Sequence, residues 1–199
     1  MTKKFLEIKN VNFQIGGKIK VKNFSLDIEK KGEIICLLGP SGIGKTTILR
    51  SIAGLEKIEN GSIKLKSNLL SSKNSHVEPE NRNISLSFQE NALFPHFTIQ
   101  KNINFGTERN KINGKKFLNP KKIIKILNIE NILNKYPHQI SAGEAQRASL
   151  TRAVISNPDL LLLDEPLSNI DENFKEEIQV KLKKILKEHK ITTIIVTHD

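Results

Sequence analysis

The sequence predicts an α/β fold with a parallel-sheet core, an N-terminal antiparallel β subdomain and a helical insertion subdomain. Short apolar runs at residues 33–38, 160–163 and 191–196 have the length of buried strands and alternate with helical patterns. Strands that alternate with helices pair in parallel through helical crossovers. The 199 residues are expected to form one domain, because domains average roughly 150 residues.

The antiparallel subdomain is indicated by alternating segments near the N-terminus. Residues 5–13, 19–28 and 62–66 alternate apolar and polar side chains, as half-buried strands do. Gly16-Gly17 provides a turn between the first two strands. These three segments are therefore expected to pair as a small sheet.

The helices are predicted from periodicity and from proline boundaries. One helix runs from residue 45 to about 53, another from about 172 to 188, and the helical subdomain occupies approximately 90–157. Residues 69–83 are rich in Ser, Asn and Pro, so a surface loop is expected there.

Composition indicates a soluble globular protein, with 37% hydrophobic and 27% charged residues. The N-terminus lacks the apolar stretch of a signal peptide, and every apolar run is far shorter than the roughly 20 residues that span a bilayer. The net charge of +11 suits a nucleic acid, an anionic membrane or a phosphorylated ligand, but the lysines are dispersed, which favours a solvated surface. Cys36 is the single cysteine and is expected to be a core residue in a reducing compartment.

A phosphate-binding loop is predicted between the strand at 33–38 and the helix that follows it. The pattern is glycine, four residues, then Gly-Lys-Thr. Backbone N–H groups of such a loop surround a phosphate, Lys45 reaches the β- and γ-oxygens, and the Thr46 hydroxyl ligates Mg²⁺. A glycine-rich turn that merely opens a helix would explain neither the Lys-Thr pair nor the preceding strand. The predicted nucleotide-binding residues are Gly39, Pro40, Ser41, Gly42, Ile43, Gly44, Lys45, Thr46 and Thr47.

A carboxylate pair follows the apolar run 160–163. A phosphate loop requires a carboxylate at the end of a neighbouring strand to hold magnesium, and Asp164 is the candidate. Glu165 is the candidate general base that polarises the attacking water. An Asp-Glu pair after a strand can also be a helix cap or a solvated turn, but the upstream loop favours the functional interpretation.

These motifs, in this order, resemble the nucleotide-binding subunit of an ATP-binding cassette (ABC) transporter from residue 5 to 199. Gln89 resembles the family's Q-loop, residues 140–144 its signature, 168–171 its D-loop and His198 its switch histidine. The resemblance implies a P-loop NTPase core and a subunit that binds and hydrolyses ATP with Mg²⁺. It also implies that Gln89 ligates Mg²⁺ and orients water, and that His198 hydrogen-bonds the γ-phosphate.

The signature segment has two compatible interpretations. Ser141 and Glu144 form an S-x-x-E capping box, which predicts a helix N-terminus. The resemblance implies that Ser141 and Gly143 also contact the ATP held by the other subunit, where N–H groups and a helix dipole favour an anion. Ala142 stands where the family usually has Gly, and Glu144 where it often has Gln, so a weakened contact is expected.

The family stacks an aromatic residue on adenine near its first strand. Phe13 is the candidate, with Ile15 as the alternative if Gly16-Gly17 is not an insertion. Packing in the core is an equally favoured interpretation of Phe13.

Residues 78–84 and 91–98 resemble stretches of importers for sugars, polyamines, sulfate and ferric iron. The general character of 72–83 favours ferric iron, and 91–98 is expected to accept a permease helix or, alternatively, to be a buried loop. The implied partners are integral-membrane permease subunits, a second, identical ATP-binding subunit in a head-to-tail dimer and, indirectly, a periplasmic or extracellular substrate-binding protein. The implied location is peripheral, on the cytoplasmic face of the inner (plasma) membrane, and no nucleic acid is expected.

The sequence stops directly after the switch histidine, where the family continues with further strands and helices, which predicts a truncated chain. Two alternatives remain open. One is a soluble ABC-type ATPase that acts on nucleic acid or the ribosome, which the charge of +11 would favour. The other is a truncated module that binds ATP without hydrolysing it. No His or Cys spacing suggests zinc.

Overall fold

The computed structural model describes residues 4–15, 18–88, 92–112, 118–170 and 172–197. Its strands are β1 (Leu6–Ile15), β2 (Lys18–Ile28), β3 (Ile34–Leu38), β4 (Ser62–Leu65), β5 (Asn68–Ser72), β6 (Ser75–His76), β7 (Ile84–Ser87), β8 (Leu160–Asp164) and β9 (Thr192–Thr197). Its α-helices are α1 (Lys45–Ala53), α2 (Ile99–Ile112), α3 (Pro120–Ile126), α4 (Ala142–Ile155) and α5 (Glu172–Glu188), and short 3-10 turns lie at Pro79–Asn81, Glu130–Ile132 and Pro137–Gln139. Within these ranges, no helix is long and apolar enough to cross a membrane.

The parallel sheet has the strand order β3-β9-β8-β7, and each pair of neighbours is parallel. The predicted parallel core is thus confirmed. Because the strands run in the same direction, the residues that follow β3, β8 and β9 leave the sheet at one edge. The phosphate loop and the Asp-Glu pair therefore emerge at the same end of the sheet, with β9 between the strands that carry them.

Strand β8 forms the centre of the domain, and its leucines 160–163 are completely buried. Leu160 and Leu162 join the core shared with α1 and the antiparallel sheet. Leu161 and Leu163 join the core formed with α2, α3, α4 and α5. Alternate side chains of a strand point to opposite faces, so a continuous apolar run is required when both faces are covered.

The antiparallel sheet has the order β2-β1-β4-β5-β6, and the expected pairing of the three alternating segments as a sheet is confirmed by β1, β2 and β4. The prediction of a surface loop over 69–83 is wrong, because β5, β6 and a 3-10 turn occupy this segment. Ser71 is completely buried in β5 and its neighbour Leu70 nearly so. The serines imitate loop composition but pair across the hairpin, Ser71 with His76 and Ser72 with Ser75. The predicted turn Gly16-Gly17 lies outside the described residues.

Cys36 is exposed, so the prediction of a core cysteine is wrong. Among the described residues, β3 pairs with β9 alone and forms an edge of the parallel sheet. Cys36 faces a groove of about 730 Å³ between this edge and α5, lined also by Leu182 and Leu186. An apolar run alone does not reveal that one face of its strand is left open.

Arg82 joins the antiparallel sheet to the end of α1, and it is only 1% exposed. Its guanidinium donates hydrogen bonds to the carbonyls of Ser51 (3.1 Å) and Ile52 (2.8 Å) at the C-terminal end of α1. It also donates to the Leu70 carbonyl (3.1 Å) and the Ser71 hydroxyl (2.7 Å) in β5. The Nε of Arg82 donates to the carbonyl of Val77, the residue that follows β6. Burial lowers the pKa of Arg82 to about 10, so the side chain stays cationic at neutral pH.

Replacing Arg82 is expected to destabilise the fold. Arg82→Met removes buried hydrogen bonds to four backbone carbonyls and the Ser71 hydroxyl, and we expect it to lower the free energy of unfolding by roughly 3 kcal/mol or more. Chemical denaturation measures this change. The control is Arg50→Met, which breaks an ion pair with Glu56 whose partners are 40% and 42% exposed and should cost less than about 1 kcal/mol. Equal losses in the two variants would contradict the role assigned to Arg82.

Candidate active site

The loop between β3 and α1 has the geometry of an anion-binding turn. Gly44, the residue before α1, has φ of 107°, a left-handed conformation that side chains disfavour. This conformation turns the chain so that α1 begins at Lys45, directly after the loop. Its first turn carries no acidic residue and receives no side-chain cap. The N–H groups of that turn are therefore suited to an anionic ligand.

The side chain of Lys45 folds back over the loop, and Lys45 is only 8% exposed. Its ammonium donates hydrogen bonds to the backbone carbonyls of Gly39 and Pro40, the latter at 3.0 Å. The positive charge of Lys45 therefore lies next to the first residues of the loop. Thr47 is almost fully buried at 4% exposure, so its side chain belongs to the interior rather than to the loop surface.

The phosphate loop and the end of β8 meet where the Thr46 hydroxyl lies close enough to the Asp164 carboxylate to favour its charged form. Asp164 is 3% exposed. Burial raises the pKa of Asp164 above its usual range, the Thr46 hydroxyl opposes the change, and the negative charge of Glu165 adds to it. A hydroxyl and a carboxylate near each other supply the hard oxygen ligands that Mg²⁺ prefers, so the residues present fit a magnesium ion.

The strand order corrects one expectation about this pair. Asp164 was predicted on a strand adjacent to the one that carries the loop, but β9 lies between β3 and β8. Asp164 and Thr46 therefore lie at the ends of two strands, β8 and β3, that are separated by β9. Gln89 and His198, predicted to follow β7 and β9 at this same edge, lie outside the described residues.

Glu165 has a backbone conformation that is unusual for a residue with a side chain. Its φ is 47°, in the left-handed region, where L-residues other than glycine are strained. Its N–H donates to the Val196 carbonyl of β9 at 3.0 Å, and its own carbonyl accepts a hydrogen bond from the Gln146 side chain at 3.0 Å. The chain thus turns sharply at the end of β8, and Glu165 stands on that turn.

Gln146 is a site residue that the sequence analysis missed. It lies on α4, is 2% exposed, and shares its helix face with the buried residues Leu150, Ala153 and Val154. A glutamine on an otherwise apolar helical stripe was the available signal, since a buried amide requires hydrogen-bond partners. Helical periodicity alone does not say which partners these are.

The capping box predicted at the start of α4 is confirmed. The Ser141 hydroxyl accepts from the Glu144 N–H at 3.2 Å, and the Glu144 carboxylate accepts from the Ser141 N–H at 2.8 Å. The hydrogen bond from the Ser141 backbone lowers the pKa of Glu144. Ala142 occupies the first helical position, where it is compatible with helical dihedrals. Ser141 is exposed and its hydroxyl can still donate to a ligand.

The prediction that Phe13 stacks on adenine is corrected by its position. Phe13 is completely buried, and its ring meets the ring of Phe24 edge to face at 5.7 Å. A side chain without an exposed face cannot receive a base, so Phe13 is a core residue. Nothing is described of the Ile15 side chain, the alternative candidate, and Asp171 of the D-loop motif lies outside the described residues.

An aromatic patch, formed by Phe94, His96, Phe97 and Phe105, lies where residues 91–98 were expected to meet a partner. The ring of Phe94 is 4.7 Å from that of Phe105 and 5.5 Å from that of Phe97. Asn102 is completely buried. Its side-chain oxygen accepts from the Phe94 N–H at 2.7 Å, and its side-chain nitrogen donates to the Phe94 carbonyl at 3.1 Å. Asn102 thus anchors the backbone of the patch by hydrogen bonds, while Phe105 remains 50% exposed.

The family model described as ABC transporter matches residues 21–168. The chain therefore belongs to the ABC transporter family. It is 40% identical over 195 residues to the Fe(3+) ions import ATP-binding protein FbpC of Fusobacterium nucleatum, covering 98% of this chain and 51% of that protein. It is 42% identical to the spermidine/putrescine import ATP-binding protein PotA of Nitrosospira multiformis, covering 97% and 52%. It is 39% identical to the sn-glycerol-3-phosphate import ATP-binding protein UgpC of Brucella abortus, covering 96% and 53%.

The chain thus spans about half the length of these curated relatives. Among solved structures, it resembles the dimeric post-hydrolysis state of the ATP-binding cassette MJ0796 bound to ADP and Pi. The TM-score is 0.80 at 28% identity, over 98% of this chain and 88% of that one. The fold class predicted from the sequence is confirmed by this likeness.

The pKa of Glu144 predicts a pH-dependent contribution to stability. Because the pKa is lowered in the folded protein, the contribution is present above the ordinary glutamate value of 4.5 and is lost as the pH falls through the folded value. Thermal unfolding should show Glu144→Ala less stable than the unmodified protein at neutral pH, with a smaller difference below about pH 4. Glu144→Gln keeps an acceptor without titrating, so its advantage over Glu144→Ala should not change with pH. A constant difference between the unmodified protein and Glu144→Ala from neutral to acidic pH would contradict the assignment.

Proposed function

We propose that this chain is the ATP-binding and ATP-hydrolysing subunit of an ABC importer. One observation carries the proposal: the phosphate loop and the buried Asp164 lie together, with Lys45 and Thr46 near enough to act on the charge of that carboxylate. This arrangement joins the two motifs that a nucleoside triphosphate with Mg²⁺ requires. The importer names of the relatives support the transport part of the proposal.

The loop residues 39–47 bind the phosphates of ATP through their backbone N–H groups, except at Pro40, which has none, with Lys45 at the β- and γ-oxygens. Thr46 and Asp164 would hold Mg²⁺, with Gln89 as a further ligand. Mg²⁺, when bound, neutralises charge on the phosphate oxygens. In this binding mode, the Lys45 ammonium exchanges its backbone carbonyl acceptors for phosphate oxygens.

Hydrolysis requires a water molecule aligned with the γ-phosphorus. Glu165 accepts a hydrogen bond from this water and takes its proton as the water attacks. Gln89 helps to orient the water, and His198 donates to the γ-phosphate, where negative charge develops. The products are ADP and phosphate.

A second copy completes the site. We propose a head-to-tail homodimer in which Ser141 and Gly143 of each copy face the γ-phosphate held by the other. The exposed Ser141 hydroxyl and the N-terminus of α4 suit an anion. The dimeric state of the cassette MJ0796 supports this arrangement.

The aromatic patch is the proposed docking site for an integral-membrane permease subunit, which places the chain peripherally on the cytoplasmic face of the inner (plasma) membrane. A substrate-binding protein outside that membrane would act indirectly. The relatives are named for ferric iron, spermidine and putrescine, and glycerol 3-phosphate. Ferric iron is the cargo proposed here, as one of these several.

A second candidate function is a soluble ABC-type ATPase that acts on nucleic acid or the ribosome, which the net charge of +11 favours. Affinity purification from gently solubilised membranes of the source cells separates the two candidates. Recovery of a multi-spanning permease supports the importer, and recovery only from the soluble fraction together with RNA makes the importer proposal wrong.

Two substitutions separate nucleotide binding from turnover. Lys45→Ala removes the cation at the phosphates, and we expect MgATP affinity to fall roughly 10- to 100-fold in calorimetric titration. Glu165→Gln leaves the phosphate loop intact, so binding should persist while kcat falls roughly 100-fold or more. Lys73→Ala, at an exposed lysine in the β5–β6 turn, is the control and should change neither property. Normal turnover in Glu165→Gln would disprove its role, and binding without turnover in the unmodified protein would favour a non-hydrolysing module.

The docking proposal predicts that the aromatic patch is needed for membrane recovery. Phe105→Ser removes the exposed apolar ring, so we expect the chain to lose its permease during purification while it still binds ATP. Val180→Ser is the matched control, because Val180 is 70% exposed and lies on α5, which contributes no residue to the patch. Unchanged permease recovery with Phe105→Ser would contradict the proposed docking site.

A further inference from the structure

Gln146 uses its whole side-chain amide to hold the turn that follows β8. Its Nε2 donates to the Glu165 carbonyl at 3.0 Å and to the Ser168 hydroxyl at 3.1 Å. Its Oε1 accepts from the Asn169 N–H at 3.0 Å. The side chain is thus bonded at both ends of the turn, and at 2% exposure it is shielded from competing water.

The turn held by Gln146 includes the strained residue Glu165. A left-handed φ of 47° costs a residue with a side chain roughly 1–2 kcal/mol. Such a conformation persists when its surroundings fix it. The N–H of Glu165 is fixed by β9. Its carbonyl accepts hydrogen bonds from the Ser168 N–H at 3.3 Å and from the Gln146 amide at 3.0 Å. The backbone conformation sets the direction in which the Glu165 carboxylate leaves the chain.

A second close contact connects α4 to the same turn. Gly143 lies three residues before Gln146, so the two residues share a face of the helix. A Cβ atom at Gly143 would lie 2.7 Å from the Asn169 carbonyl oxygen, which is closer than carbon and oxygen can pack. The first turns of α4 therefore pack against the turn after β8 at two positions, Gly143 and Gln146.

We propose that Gln146 is a positioning residue for ATP hydrolysis, which fixes the direction of Glu165 and its distance from the N-terminus of α4. The inference rests on the proposed function, in which Glu165 is the general base and α4 faces a γ-phosphate. In the proposed dimer, α4 of one copy faces the ATP bound to the other copy. Through Gln146, the same helix holds Glu165, the base that acts on the ATP of its own copy. A shift of α4 along its axis would displace the Glu165 carbonyl with it.

The role requires an amide of this length. Methionine has a similar shape but neither donates nor accepts strongly, so Gln146→Met leaves the Glu165 carbonyl and the Asn169 N–H without this partner. Asparagine keeps the amide but withdraws it by one methylene, so Gln146→Asn cannot reach both ends of the turn in the same helix position. Both variants keep the side chain uncharged, so neither introduces repulsion toward Glu165.

The experiment measures kcat, ATP affinity and thermal stability of the intact protein. Gln146→Met is expected to lower kcat roughly 10-fold or more, because misdirected catalytic groups lose rate steeply, while ATP affinity changes less than about 2-fold. Gln146→Asn should also lower kcat and serves as the second variant if Gln146→Met does not fold. Thr151→Val is the matched control, because Thr151 is fully buried on the same helix and its hydroxyl donates to the Arg147 carbonyl within α4. Its kcat should match that of the unmodified protein.

A double-mutant cycle tests whether Gln146 acts through Glu165. In the Glu165→Gln background, single-turnover hydrolysis should be the same with and without Gln146→Met. Full turnover in a folded Gln146 variant, an equal loss in both backgrounds, or a parallel loss of ATP affinity would each overturn the positioning role. Retained turnover in Glu165→Gln alone would instead overturn the proposed base, so the two failures are distinguishable.

Discussion

The burial of β8 between two cores is the constraint on which the rest of the domain depends. Its leucines pack alternately toward α1 and the antiparallel sheet on one face, and toward the helical layer on the other. This packing fixes the level at which the strand ends. Asp164 is the last residue of β8, so its carboxylate is placed beside Thr46 by apolar contacts that take no part in binding. A displaced β8 would separate the two motifs even with every polar residue intact.

The fixed end of β8 also explains why the site combines a buried carboxylate with a strained residue. Asp164 is held at a position that raises its pKa, and Glu165 adopts a left-handed conformation immediately beyond it. Both features cost stability in the isolated domain. A cation near Asp164 relieves the first cost, and hydrogen bonds from neighbouring elements maintain the second. The arrangement is that of a site preorganised for a charged ligand.

The sequence predicted those parts of the fold and site that are encoded locally. The phosphate loop, the start of α1 at Lys45 and the capping box at Ser141 depend on a few consecutive residues, and each is found where expected. The position of β9 between β3 and β8 was not predictable, because strand order depends on pairing between distant segments. Phe13 and Cys36 were misplaced for a related reason: a side chain's own strand does not reveal whether other elements cover it.

Other parts were hidden by composition. The serines of β5 resemble loop residues, and their burial becomes intelligible only once Arg82 is seen to bond Ser71. Gln146 likewise looks like one polar residue in a helix until the turn after β8 is placed beside it. In both cases, the structural role of a polar residue depends on a hydrogen-bond partner that is distant in sequence.

The hydrogen bonds of Arg82 also bear on the response of the domain to ionic strength. Surface ion pairs such as Lys66 with Asp159 at 2.5 Å, where the lysine is 41% exposed, weaken as dissolved salt screens their charges. Arg82 instead bonds carbonyl and hydroxyl dipoles away from solvent, where mobile ions do not enter. The attachment of α1 to the antiparallel sheet is therefore insensitive to salt. The helix that begins at the phosphate loop keeps the same anchorage at low and at high ionic strength.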